Sequence, residues 1–263
     1  MDEQHGTGLG WPAAVLALVA AAGYLGLARF SIRRHGGGWP VRSTILWLAG
    51  LVLAVIALAR PGHDFRAHMT GHLLLGMLVP ILLVLAAPVT LALRALPVPA
   101  ARRLAHVLRS RPARAITHPV TAAILNAGGA WILYTTDLYP QMSRHPVIAL
   151  LVHAHVLLSG FLFTAAMIGV DPAPHRPGRR TRAAVIVAFL AVHGMLAKHL
   201  YAYPPAGVPA AEAQSGAQLM YYGGDLAHLL LVVIFCAQWY AATTPDRRPT
   251  TNRRRTWRLP AGT

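Results

Sequence analysis

Histidine is the residue type through which this chain could do chemistry: 14 occur in 263 residues. Imidazole is the commonest metal ligand and exchanges protons near neutral pH. His68 and His72 stand four apart, so on a helix both rings leave one face and could share an ion. Asp225 and His228 stand three apart, where a carboxylate could ligate beside the imidazole or orient it. His153 and His155 lie about 200° apart round a helix, so they do not readily face one ion. With His193 these form the candidate metal set: His68, His72, His153, His155, His193, Asp225 and His228. No nucleophile–base pair for hydrolysis is visible, so no catalytic residue is assigned.

Ligand softness narrows the metal. Imidazole with thioether and no thiolate suits copper, and imidazole with carboxylate also suits zinc. Haem is the weaker expectation, although His72, His155, His193 and His228 could supply an axial pair from two helices. The single cysteine, Cys236, excludes an internal disulfide or a Cys-x-x-Cys site, and a packing role is expected for it. The methionines are expected to fill core.

The elements that must position these groups are membrane helices. The chain is 55% hydrophobic and 12% charged, with a mean hydropathy of +0.47, whereas soluble domains carry roughly 25% charged residues. Apolar blocks occupy roughly 11–28, 43–59, 68–93, 115–135, 146–170, 183–200 and 217–242, each near the ~20 residues that cross hydrocarbon. They lack the alternation of barrel strands. The fold expected is all-α: a polytopic bundle of seven spans over 1–242, then a basic tail over 243–263. Pro80 and Pro88 predict a kink or split in the third block. The acidic start, Met1-Asp2-Glu3, argues for a retained first span and against a cleaved leader.

Charge sets the expected orientation. The net charge of +16 lies in short loops and the tail, which points to the lipid bilayer and away from nucleic acid. Twenty basic residues fall on one side of the seven blocks and four on the other (Arg60, Arg66, Arg144 and Lys198). That bias predicts an outside N-terminus and a cytoplasmic C-terminus in a bacterial plasma membrane. The seven-member set, less Asp225, then falls in the outer half together with His63, His145 and His199. His35, His106, His118 and His175 fall on or near the inner side, with surface or structural roles.

The run His68-Met-Thr-Gly-His72 through Pro80 to Ala87-Pro88, with Leu151-Val-His153-Ala-His155, Gly169-Val-Asp171-Pro172 and Met220-Tyr-Tyr-Gly-Gly224-Asp225, resembles the multi-span CtaG family of cytochrome c oxidase assembly factors. The resemblance covers roughly residues 45–257. It implies seven or so spans, a non-enzymatic role in maturing a haem–copper oxidase, cytochrome c oxidase subunits as partners, and copper handled on the outer side. His68, His72, His153, His155 and His193 match its motifs. A haem-binding membrane redox protein and a copper-tolerance or transport protein are the alternatives.

Overall fold

The computed structural model describes residues 10–59 and 64–244. His63 and the arginine-rich stretch from residue 245 onward lie outside them. Among the described residues all regular structure is helical. In chain order these are α1 (Gly10–His35), α2 (Val41–Ala59), α3 (Phe65–Leu73), a π-helical turn Leu74–Leu78, α4 (Val79–Leu85), α5 (Pro88–Ala95), α6 (Val98–Arg109) and α7 (Arg111–Ile116). Then follow α8 (Pro119–Ala123), a second π-helical turn Ile124–Gly128, α9 (Gly129–Thr135), α10 (Leu138–Arg144), α11 (Pro146–Ile168), α12 (Arg179–Ala202) and α13 (Ala210–Thr243).

Among the described residues six stretches are long and apolar enough to cross a membrane: α1, α2, the run Phe65–Ala95, α11, α12 and α13. Seven were expected. The fourth block is the short one, because His118 caps a new helix at Pro119, its Nδ1 accepting from Val120 N at 3.3 Å. Residues 115–118 therefore go to α7 and the cap. The helical run 119–135 that remains rises about 26 Å, at the lower limit of length for a membrane span.

The third block splits where its prolines predict. Pro80 follows the π-helical turn, and Ala87 adopts a left-handed conformation (φ 55°, ψ 53°) between α4 and α5. The residue before a proline is pushed out of the right-handed helical region, which starts α5 afresh at Pro88. Tyr24 in α1 holds the break by donating to Ala86 O at 2.7 Å. Asp171 caps α5, accepting from Val89 N at 3.2 Å, Thr90 N at 2.7 Å and the Thr90 hydroxyl at 2.6 Å.

The end of α11 is closed by side chains. Arg182 donates to Met167 O at 2.6 Å and Gln238 to Ile168 O at 2.8 Å, satisfying carbonyls that a helix terminus leaves open. The stretch from Met167 to Asp171 is thus a structural lock joining α11, α5, α12 and α13. Besides a small cluster of Tyr24, Ala28, Ala86 and Leu91, two larger apolar clusters make the core. One gathers Phe65, Met69, Tyr134, Tyr139 and Met220, and the other Phe163, Met167, Phe189 and Phe235. Cys236 is exposed and does not pack, because the inward arc of α13 is taken by Leu231 and Phe235.

Candidate functional site

Three helices bring histidines together between the two clusters. Asp64 caps α3 by accepting from Ala67 N at 3.1 Å, and Glu212 Oε2 accepts from Phe65 N at 3.4 Å, tying α3 to α13. α13 approaches α3 and α12 closely because it is glycine-rich on that side. A Cβ at Gly223 would sit 2.6 Å from Leu73 Cδ1, and one at Gly224 would sit 2.7 Å from His193 Cε1. The second contact seats the His193 ring directly on the α13 backbone.

The rings form a ladder running inward. Outermost, His68 Nε2 pairs with the Tyr134 hydroxyl at 3.0 Å, with the Tyr139 ring 4.9 Å away. One turn deeper, His72 lies 6.4 Å from His193, nearly parallel at 13°. His193 meets His228 edge-on at 4.8 Å. Both His193 and His228 are 4% exposed.

Their hydrogen bonding is incomplete. His72 Nδ1, His193 Nε2 and both ring nitrogens of His228 are buried without a partner. A buried polar atom left unpaired costs about 1–3 kcal/mol. Four such ring nitrogens are concentrated on three facing helices, α3, α12 and α13. Beside His228 lies a cavity of about 20 Å³ lined by Met77, Asn126 and Thr164 among apolar neighbours. That is room for about one water or an ion.

The other expected ligands divide. His153 is half-buried, close enough to His68 and His72 for charge interaction, and its Nδ1 bonds Ala149 O at 2.6 Å. His155 is exposed, packs against Gly129 and bonds Leu125 O at 3.0 Å. Asp225 is exposed as well, and no hydrogen bond links it to His228. The buried arc of α13 runs through Gly224, Ala227, His228 and Leu231, which turns Asp225 past its edge. Among the described residues no three His, Cys, Asp or Glu side chains already surround a common metal position.

The remaining histidines among the described residues fall outside the ladder. His145 is exposed, and His199 packs against Trp131 at 5.5 Å and Tyr203 at 5.0 Å. His35 and His175 bond the backbone carbonyls of Arg94 and Arg109.

Sequence reasoning missed Tyr134, Thr164 and the role of Met77. A tyrosine inside an apolar block was the available signal, since its hydroxyl needs a partner when buried. Tyr139, on α10 at the mouth, has its hydroxyl pushed up to about 12, by burial first and then by Glu212 and Asp64. Those two acids lie close enough to the Tyr139 hydroxyl to act on it through charge.

A family model described as cytochrome c oxidase caa3 assembly factor (Caa3_CtaG) matches residues 22–242. Among curated proteins, uncharacterized protein Mb0105 of Mycobacterium bovis and uncharacterized protein MT0111 of Mycobacterium tuberculosis are each 38% identical over 202 residues, covering 71% of this chain and 30% of theirs. Uncharacterized protein ML1998 of Mycobacterium leprae is 31% identical over 250 residues, covering 85% of this chain and 38% of its own. The chain therefore spans about a third of the length of these relatives. No solved structure matches it. The run of matched residues takes in every rung of the ladder, and the chain belongs to the cytochrome c oxidase caa3 assembly factor family.

Proposed function

We propose that this protein takes up copper on the outer side of a bacterial plasma membrane and holds it transiently for delivery to a haem–copper oxidase subunit. The observation that carries the reading is the line of four orphaned imidazole nitrogens on α3, α12 and α13. His72, His193 and His228 are the ligands, and His68 and His153 form the approach from the Tyr139 side. Neutral imidazoles with free lone pairs suit copper, and Met77 beside the cavity offers a thioether. Coordination that requires side-chain adjustment is labile, which transfer needs and a closed structural site does not provide. A space of about 20 Å³ has no room for a porphyrin, which favours copper over haem. The arginine bias supports an outward-facing mouth and a cytoplasmic C-terminus.

The test is a Cu(I) titration against a chromophoric chelator, using the detergent-purified chain and a His72→Ala/His193→Ala/His228→Ala variant. About one copper retained per wild-type chain and none per variant is expected. Equal retention by both proteins refutes the assignment, and a Soret band in the purified wild type moves the reading to haem.

A further inference from the structure

A second built recess lies at the arginine-bearing end of the bundle, lined by none of the ladder histidines. It encloses about 240 Å³ between the inner ends of α4 and α11, the start of α5, and the α6–α7 hairpin. Its walls are mostly apolar, formed by Val84, Leu108, Phe161, Leu162 and Ala165. At its rim stand His175, Arg176 and Asp171.

Arg176 and Asp171 stand together at that rim, and the surplus positive charge comes from the arginines of α6 above it. The Asp171 carboxylate accepts the α5 cap bonds and keeps its charge beside Arg176. Arg176 Nη2 donates to the Asp171 carbonyl at 3.0 Å, while its Nε is buried and unpartnered. His175 is held by Arg109 O at 3.3 Å. The roof is α6, which has no buried residue. It sets Arg102, His106 and Arg109 on one face and Leu104 and Leu108 on the other, the pattern of a helix lying in the membrane interface.

We propose that this recess binds one anionic phospholipid, an acyl chain entering the apolar space and the phosphate meeting Arg176 beneath α6. The shape and the charge each support this occupant. The volume is below the ~300–1,000 Å³ of sites that enclose a whole small ligand, as suits a chain whose remainder stays in the bilayer. Basic pockets between membrane helices near the cytoplasmic leaflet attract acidic headgroups.

Native mass spectrometry of the delipidated full chain tests it, with phosphatidylglycerol and phosphatidylcholine of matched acyl chains as probes. Phosphatidylglycerol is expected to bind more tightly by about fivefold per guanidinium engaged. Arg176→Gln removes that preference, and Ala165→Phe, which fills the wall, lowers retention of both lipids. Should Arg176→Gln fail to fold, Arg176→Lys combined with Ala165→Phe carries the test, since the charge is kept while the space is lost. Equal retention of the two lipids by the wild type overturns the proposal, as does an Ala165→Phe variant that binds like wild type. Displacement of the bound lipid by millimolar inorganic phosphate reveals a plain anion site and also overturns it.

Discussion

Replacing His228 by leucine should stabilise the copper-free protein while weakening its hold on copper. Both ring nitrogens of His228 are buried and unpaired. At about 1–3 kcal/mol for each, the native state carries about 2–6 kcal/mol of unmet hydrogen bonding there. Leucine removes that penalty and fits a wall already made of Leu231 and Phe189. Against it stand two edge-on ring contacts, with His193 at 4.8 Å and Phe189 at 5.5 Å. At about 0.5–1.5 kcal/mol apiece their loss returns about 1–3 kcal/mol. Taken at their midpoints these leave a net gain of about 2 kcal/mol, or several degrees in Tm for a chain of this size. Copper should act in the opposite sense. Wild type gains stability with ligand as RT ln(1 + [L]/Kd), about 2.7 kcal/mol at a hundred times Kd. The assay is thermal unfolding in detergent, with chelator and with Cu(I), for wild type and His228→Leu. The variant should melt higher with chelator and show a much smaller copper-dependent rise. A chelated variant that melts several degrees lower would mean that His228 is a packing residue with satisfied polar atoms, and the reasoning fails.

Further consequences follow from single contacts. Gly224→Ala places a methyl 2.7 Å from His193 Cε1; because an imidazole can swing aside, copper affinity should fall about tenfold or more while folding survives, measured by chelator competition. Asp225→Asn should leave copper affinity within about twofold of wild type, since the carboxylate is exposed and turned from His228; a tenfold loss would restore it to the ligand set. Tyr139, raised from 10.0 to about 12, keeps its proton where an unfolded chain loses it. Its contribution to stability is full below pH 10 and fades as pH rises toward 12. Tyr139→Phe should flatten that part of the alkaline unfolding profile.

The ladder also states what the fold gives up. Small residues on α13 allow the backbone to lie against an imidazole, and a core position of α12 is given to His193. Any of these could be replaced to make a tighter apolar bundle. Their arrangement is intelligible as a site that trades stability for function.

Much of this was set by the sequence alone. Apolar blocks, their proline boundaries and the arginine bias depend on local composition, so they define helices before any packing is known. The i,i+4 spacing likewise fixes His68 and His72 on one face, whatever surrounds them. The sequence could not determine the rotational phase of each helix about its own axis. That phase sends His153 inward and His155 outward, buries His228 and leaves Asp225 on the exposed side. It is decided by close contacts such as Gly224 on His193 and Gly160 on the Gly76 backbone, which exist only between helices. Local spacing says which residues share a face; only packing says what that face meets.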